Sequence, residues 1–113
     1  MADAPMSPEL LTLIAERFKA LGEPARLEIL NVLRAGEMTV TELSDETGLG
    51  QANLSKHLQL LHSLGFVTRR KDGLYVYYAL ANSDVFKLCD IMCGRLGAEV
   101  ARRGRVVSGR AAR

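Results

Sequence analysis

The chain has 113 residues, enough for one domain, and its 48% hydrophobic and 25% charged content is a globular balance that excludes a disordered chain. No apolar run approaches the ~18 residues of a membrane span, and the start of the chain, with Asp3 and Glu9, lacks the basic and apolar segments of a secretory signal. A cytoplasmic protein with no membrane partner is therefore expected. The formal charge of +2 conceals an asymmetry, because Arg102, Arg103, Arg105, Arg110 and Arg113 lie in the last twelve residues. Ten Lys and Arg against thirteen Asp and Glu remain over 1–101, a net of −3. A nucleic-acid surface must then be a local patch, not a global field.

Ser7-Pro8-Glu9 reads as a helix start, with Ser7 the cap and Pro8 in the first turn. Leu10, Leu11, Ile14, Phe18 and Leu21 follow at helical spacing, and Gly22 ends the run. Pro24 opens a second helix, with Leu27, Ile29, Leu30 and Leu33 inward and Gly36 as its stop. Thr39 and Glu42 have the spacing of a capping box, starting a short helix that Gly48 closes. A fourth helix carries Leu54, Leu58, Leu61 and Leu64 on one face and ends at Gly65.

From Phe66 the apolar period falls from about 3.6 to 2. One strand is expected over 66–70, a turn at Lys71-Asp72-Gly73, and a return strand over 74–80. Asn82 or Ser83 then caps a last helix bearing Val85, Leu88, Cys89, Met92, Leu96 and Val100. The order α-α-α-α-β-β-α, mainly helical with a β-hairpin wing, is that of a winged helix-turn-helix domain over 1–101. Residues 102–113 form a basic tail, composed as a flexible arm. The first and last helices each carry an apolar stripe that one small domain cannot easily bury, so a homodimer built on those two helices is expected.

The fourth helix has a polar solvent face made by Gln51, Asn53, Ser55, Lys56 and Gln59, with His57 beside them. Gln and Asn at the start of a recognition helix can bond bidentately to adenine in the major groove, and Lys suits phosphates. Arg69, Arg70 and Lys71 approach the hairpin tip, where cations add salt-dependent affinity for double-stranded DNA. The bland alternative for the helix is an ordinary solvated face. Tyr75 and Tyr77 share a strand face and read first as cover for the sheet.

Phe18-Lys19-Ala20-Leu21-Gly22-Glu23-Pro24-Ala25-Arg26-Leu27-Glu28-Ile29-Leu30 resembles the opening signature of the ArsR/SmtB repressors, usually of the type LADPTRLRIL. Leu49-Gly50-Gln51-Ala52-Asn53-Leu54-Ser55-Lys56-His57-Leu58 is similar to that family's LSQSTVSRHL segment, and Gly65-Phe66-Val67 with Tyr75-Val76-Tyr77-Tyr78 to its strand pair. The resemblance spans about residues 10–100 and implies a homodimeric winged-helix repressor on an imperfectly palindromic operator. One departure is Gly50, where the family usually has a capping Ser; Gly costs only a few tenths of a kcal/mol there but removes a hydroxyl.

The resemblance also defines sensor positions. Where arsenic and cadmium sensors of the family read Cys-Val-Cys, this chain has Thr39, Val40 and Thr41, and hydroxyls are poor ligands for soft ions. Where zinc and nickel sensors have Asp-x-His, it has Asp84-Val85-Phe86, with Gly97 and Val100 near the later ligand positions. Both sites are expected to be missing. His57 and His62 lie in the recognition helix, where DNA contact or a structural role suits them better than metal ligation. Cys89 and Cys93 remain, one helical turn apart on one face. Three readings stay open for them: packing in a dimer interface, a thiolate site for arsenite, cadmium, zinc or copper as inducer, and persulfide or oxidant sensing. No resident cofactor is called for.

The sequence offers no nucleophile–base pair, no glycine-rich phosphate loop and no paired carboxylates outside solvated helix faces, so it does not read as an enzyme. The alternatives to an inducible repressor are a constitutive winged-helix regulator and a winged helix used for protein docking.

Overall fold

The computed structural model describes residues 4–102. The chain divides into two compact units, 1–81 and 82–113. The first unit holds α1 (Pro8–Leu21), α2 (Pro24–Val32), a 3-10 turn at Leu33–Ala35, β1 (Met38–Thr39), α3 (Val40–Thr47), α4 (Gln51–Ser63), β2 (Val67–Asp72) and β3 (Tyr75–Leu80). The second holds α5 (Asp84–Arg102). The basic tail expected beyond Arg102 lies outside the described residues.

The helix ends are set by the residues that the sequence points to. Ser7 Oγ accepts from the Leu10 amide at 3.1 Å, with Pro8 in the first turn of α1. At α3 the box closes in both directions: the Glu42 amide donates to Thr39 Oγ1 at 3.2 Å, and the Thr39 amide donates to Glu42 Oε1 at 2.8 Å. Gly48 caps α3 in the left-handed region with φ 77°, a conformation that a Cβ disfavours. After α4 the Gly65 amide reaches the His62 carbonyl and the Phe66 amide the Leu61 carbonyl, the paired bonds of a Schellman cap. In the second unit Asn82 Oδ1 accepts from the Asp84 amide at 2.9 Å, an Asx-type turn into α5.

The core of the first unit gathers Ile29, Leu30, Leu33, Leu43, Leu54, Leu58, Leu61 and Val67, all essentially removed from water. Leu27, expected inward, is 37% exposed. The stripe on α1 is mostly outward, with Leu10, Leu11, Leu13 and Phe18 exposed and only Ala20 buried. On α5, Leu88, Ile91, Met92 and Leu96 are exposed.

The sheet differs from the expected two-stranded ribbon. Met38 and Thr39 form a third strand against Tyr78 and Tyr77, giving the antiparallel order β1-β3-β2. The hairpin also turns later than expected. Lys71 and Asp72 belong to β2, and Asp72 pairs with Tyr75, so the loop is Gly73-Leu74. Gly73 has φ 62° and Leu74 does not have a positive φ, the pattern of a II′ turn, whose hand matches the twist of the strands. Among the described residues no helix is long and apolar enough to cross a membrane.

Thr39 serves β1 and the α3 cap together. Thr39→Ala is expected to cost about 1 kcal/mol, seen as a fall in Tm of about 4–8 °C for a domain of this size. Thr39→Ser, which keeps the hydroxyl, is expected to melt close to the parent chain. Equal melting of the Ala and Ser variants would contradict the role given to the box.

Candidate nucleic-acid interface

The burial of Leu54, Leu58 and Leu61 fixes the rotation of α4. At 3.6 residues per turn, the opposite side of the helix must face solvent. Asn53, Lys56 and Gln59 are exposed away from the leucines, Gln51 is exposed in the first turn three residues before Leu54, and Ser55 is half-buried at the edge of the strip. No acidic side chain occurs in α4. Its N-cap, Gly50, is extended and makes no side-chain cap, so the first-turn amides have no hydroxyl across them. An uncapped helix N-terminus with positive partial charge, flanked by amides and a lysine, is chemically suited to an anionic duplex.

His57 is placed differently from the other polar residues of α4. It is half-buried, and its Nδ1 accepts from Arg26 Nε at 3.1 Å. Arg26 also donates from Nη1 to the Ala20 carbonyl at 2.9 Å. One guanidinium thus ties the last turn of α1, the first turn of α2 and the middle of α4. Because Nδ1 accepts, the ring proton is carried on Nε2. His57, read from the sequence as a DNA contact or a structural residue, has one ring nitrogen engaged inside the protein.

The wing cations also divide. Register partners on neighbouring strands share a face and successive residues alternate. Arg69 therefore lies with Tyr78 on one face, and Arg70 with Tyr77 and Thr39 on the other. On that second face the Arg70 guanidinium stacks 4.6 Å from the Tyr77 ring centroid. It donates to Glu37 from Nη2 at 2.6 Å and from Nε at 3.3 Å, and approaches Asp72 at 3.4 Å. The hydrogen bond to Glu37, outweighing some desolvation, raises the Arg70 pKa further above its ordinary value, so the group stays a cation. Its charge is nonetheless balanced within the chain, which sets Arg70 apart from the other two cations at the hairpin tip. Arg69 and Lys71 are exposed and make no ion pair among the described residues.

Tyr78 is buried at the base of the first face, Tyr75 is exposed, and Tyr77 is half-buried beneath Arg70. An open cleft of about 280 Å³ lies between α4 and this sheet, lined by Gln59, His62, Arg69 and Tyr78.

Thr39 Oγ1 is committed to the α3 cap, and Asp84 pairs with Lys87 at 3.5 Å. Cys89 is half-buried and Cys93 exposed, both as free thiols on α5. No group of three or more potential metal ligands occurs among the described residues. Arg26 and Glu37 had no role assigned from sequence, because their partners lie 31 and 33 residues away.

The trihelical core, the polar exposed α4 and the three-stranded wing define a winged helix-turn-helix transcriptional regulator. Residues 23–69 match the bacterial regulatory protein arsR family. An uncharacterized HTH-type regulator of Mycobacterium tuberculosis, Rv0081, is 41% identical over 83 residues, covering 73% of each chain. Its crystal structure superposes with a TM-score of 0.75, over 87% of this chain and 98% of that one. The homodimeric winged-helix DNA-binding domain Mb0332 of Mycobacterium bovis gives a TM-score of 0.68 at 34% identity, over 86% of this chain and 91% of that one. A probable mercury resistance operon repressor of Streptomyces lividans is 35% identical over 74 residues, 66% of this chain and 59% of that protein. The chain belongs to the arsR family of DNA-binding transcriptional regulators and is not an enzyme.

Removing the Arg26 guanidinium leaves the Ala20 carbonyl and His57 Nδ1 without their donor. Arg26→Met is expected to lower stability by about 1–3 kcal/mol, read as a lower urea midpoint at unchanged m-value. An unchanged midpoint would show that the bridge contributes nothing net.

Proposed function

We propose that the chain is a homodimeric repressor that reads a palindromic operator through α4 and the wing, and that thiophilic chemistry at Cys89 and Cys93 releases it. The observation that carries the DNA reading is the exposed, carboxylate-free face of α4 beginning at an uncapped N-terminus. In this reading Gln51 and Asn53 contact base edges, and Ser55 and Gln59 flank them. Lys56, Arg69 and Lys71 meet phosphates, His57 offers Nε2–H alone, and Arg70 braces the wing.

Dimerisation is supported by the apolar side chains that α1 and α5 each leave in water, such as Phe18 and Met92, both 57% exposed. The M. bovis neighbour is described as homodimeric. Two recognition helices related by a twofold axis suit half-sites about 34 Å apart along the duplex.

The sensing step is supported by two thiols one turn apart on the same helix, one half-buried and one exposed. A soft ion held by that pair would take any further donor from the partner protomer or from solvent. The S. lividans relative is named for mercury resistance. If the liganded dimer binds DNA less well, DNA and ion oppose each other by linkage, whichever binds first.

Fluorescence anisotropy of a duplex carrying inverted half-sites from the chain's own promoter tests all three parts. Binding is expected to weaken steeply between about 50 and 200 mM salt. Arsenite, Cd(II) or Hg(II) is expected to raise Kd at least tenfold, and the Cys89→Ser/Cys93→Ser variant to bind equally well but resist release. Release that survives in this variant would remove the cysteines from the mechanism, and absence of specific binding would favour a docking module.

A further inference from the structure

We propose that the cleft bounded by Gln59, His62, Arg69 and Tyr78 is a phosphate site that seats one backbone phosphate of the duplex in each half-site. The inference rests on the DNA-binding reading above. It adds His62 and Tyr78 to the phosphate contact of Arg69 and places Gln59 at the edge of that site.

Each of the four lining residues can donate a hydrogen bond. Gln59 supplies an amide N–H, His62 a ring N–H, Arg69 a guanidinium and Tyr78 a phenolic O–H, and no carboxylate lines it. Arg69 is the lining group with a full charge, and it has no ion pair among the described residues, unlike its neighbour Arg70. Strand alternation is the cause. Arg69 follows Val67 on the face whose base is buried, and its cross-strand partner is Tyr78. On α4, Gln59 and His62 are three residues apart and so neighbour each other on the helix surface.

Position favours a backbone phosphate over a base. The cleft lies roughly 9–14 Å along α4 from Asn53 at 1.5 Å per residue, whereas the major groove is about 8.5 Å deep. With the N-terminal residues of α4 on base edges, Gln59 and His62, further along the helix and beside the wing strand that carries Arg69, are placed for the phosphate backbone. The volume of about 280 Å³ is just below the range of about 300–1,000 Å³ typical of small-molecule pockets. A phosphodiester reaching in from a duplex fits such an open site better than an enclosed metabolite does.

The test uses the full chain and duplexes in which each phosphate in turn is replaced by a neutral methylphosphonate. The parent chain is expected to lose about tenfold in affinity at one position per half-site facing the cleft. Arg69→Gln, alone or with His62→Ala, is expected to lose a similar factor on unmodified DNA, lower the salt slope by about 1, and show no further loss at that position. Lys71→Gln serves as the comparison: it lowers the salt slope but remains sensitive to methylphosphonate there. Full sensitivity of Arg69→Gln at every position, or unchanged affinity, would overturn the site while leaving DNA binding intact. Failure of the parent chain to bind any duplex would instead overturn the DNA reading. Inorganic phosphate titrated into the chain alone, followed on the His62 ring signals, separates the sources. Saturation at concentrations too low to disturb DNA binding would reassign the cleft to a free phosphorylated ligand.

Discussion

Leu54, Leu58 and Leu61 are completely buried, and everything on the other side of α4 follows from that seam. Full burial of a leucine side chain is worth about 1.5–3 kcal/mol, so rotating α4 to expose the three would cost several kcal/mol and is not an accessible state of the folded domain. The same seam that closes the core therefore dictates which side chains of α4 face solvent. Asn53, Lys56 and Gln59 face water because the leucines do not, and Gln51 does so because it opens the helix. The proposed recognition surface is held by packing and not by loop conformation, which suits a surface that must keep base-edge geometry.

Around that helix, polar partners of long sequence separation fix its neighbours. Arg26 joins the end of α1 to His57, and Arg70 crosses Tyr77 to reach Glu37 beside β1. The second contact is exposed, so its value lies in geometry more than in stability. It ties β2 to the segment entering β1 across the width of the sheet. The wing then has two unlike faces: Arg70 braces one, and on the other Arg69 and Lys71 have no ion pair among the described residues. Three adjacent cations in the sequence become two kinds of residue once the strand alternates.

The local features were legible from the sequence. Ser7, the Thr39–Glu42 pair, Gly48 and Gly65 act within a few residues of themselves, so their caps could be read directly, and the leucine period of α4 gave the face that packs into the core. What escaped was non-local. The two residues of β1 carry no strand signal and are strand only because Tyr77 and Tyr78 pair with them. The Asp72-Gly73 pair suggested a turn starting at Lys71, but pairing of Asp72 with Tyr75 moved the loop to Gly73-Leu74. The commitments of His57 and Arg70 depend on Arg26 and Glu37, which no periodicity links to them.

The central claim is that α4 and the first face of the wing form the DNA surface. Backbone amide chemical-shift mapping of the full chain with an operator duplex tests it most directly. The account predicts that the largest shifts cluster at 50–59 and at Arg69 and Lys71, with Leu43 and the α1 amides nearly unmoved. Shifts confined to α1 or α5, with residues 50–59 unchanged at saturation, would contradict it.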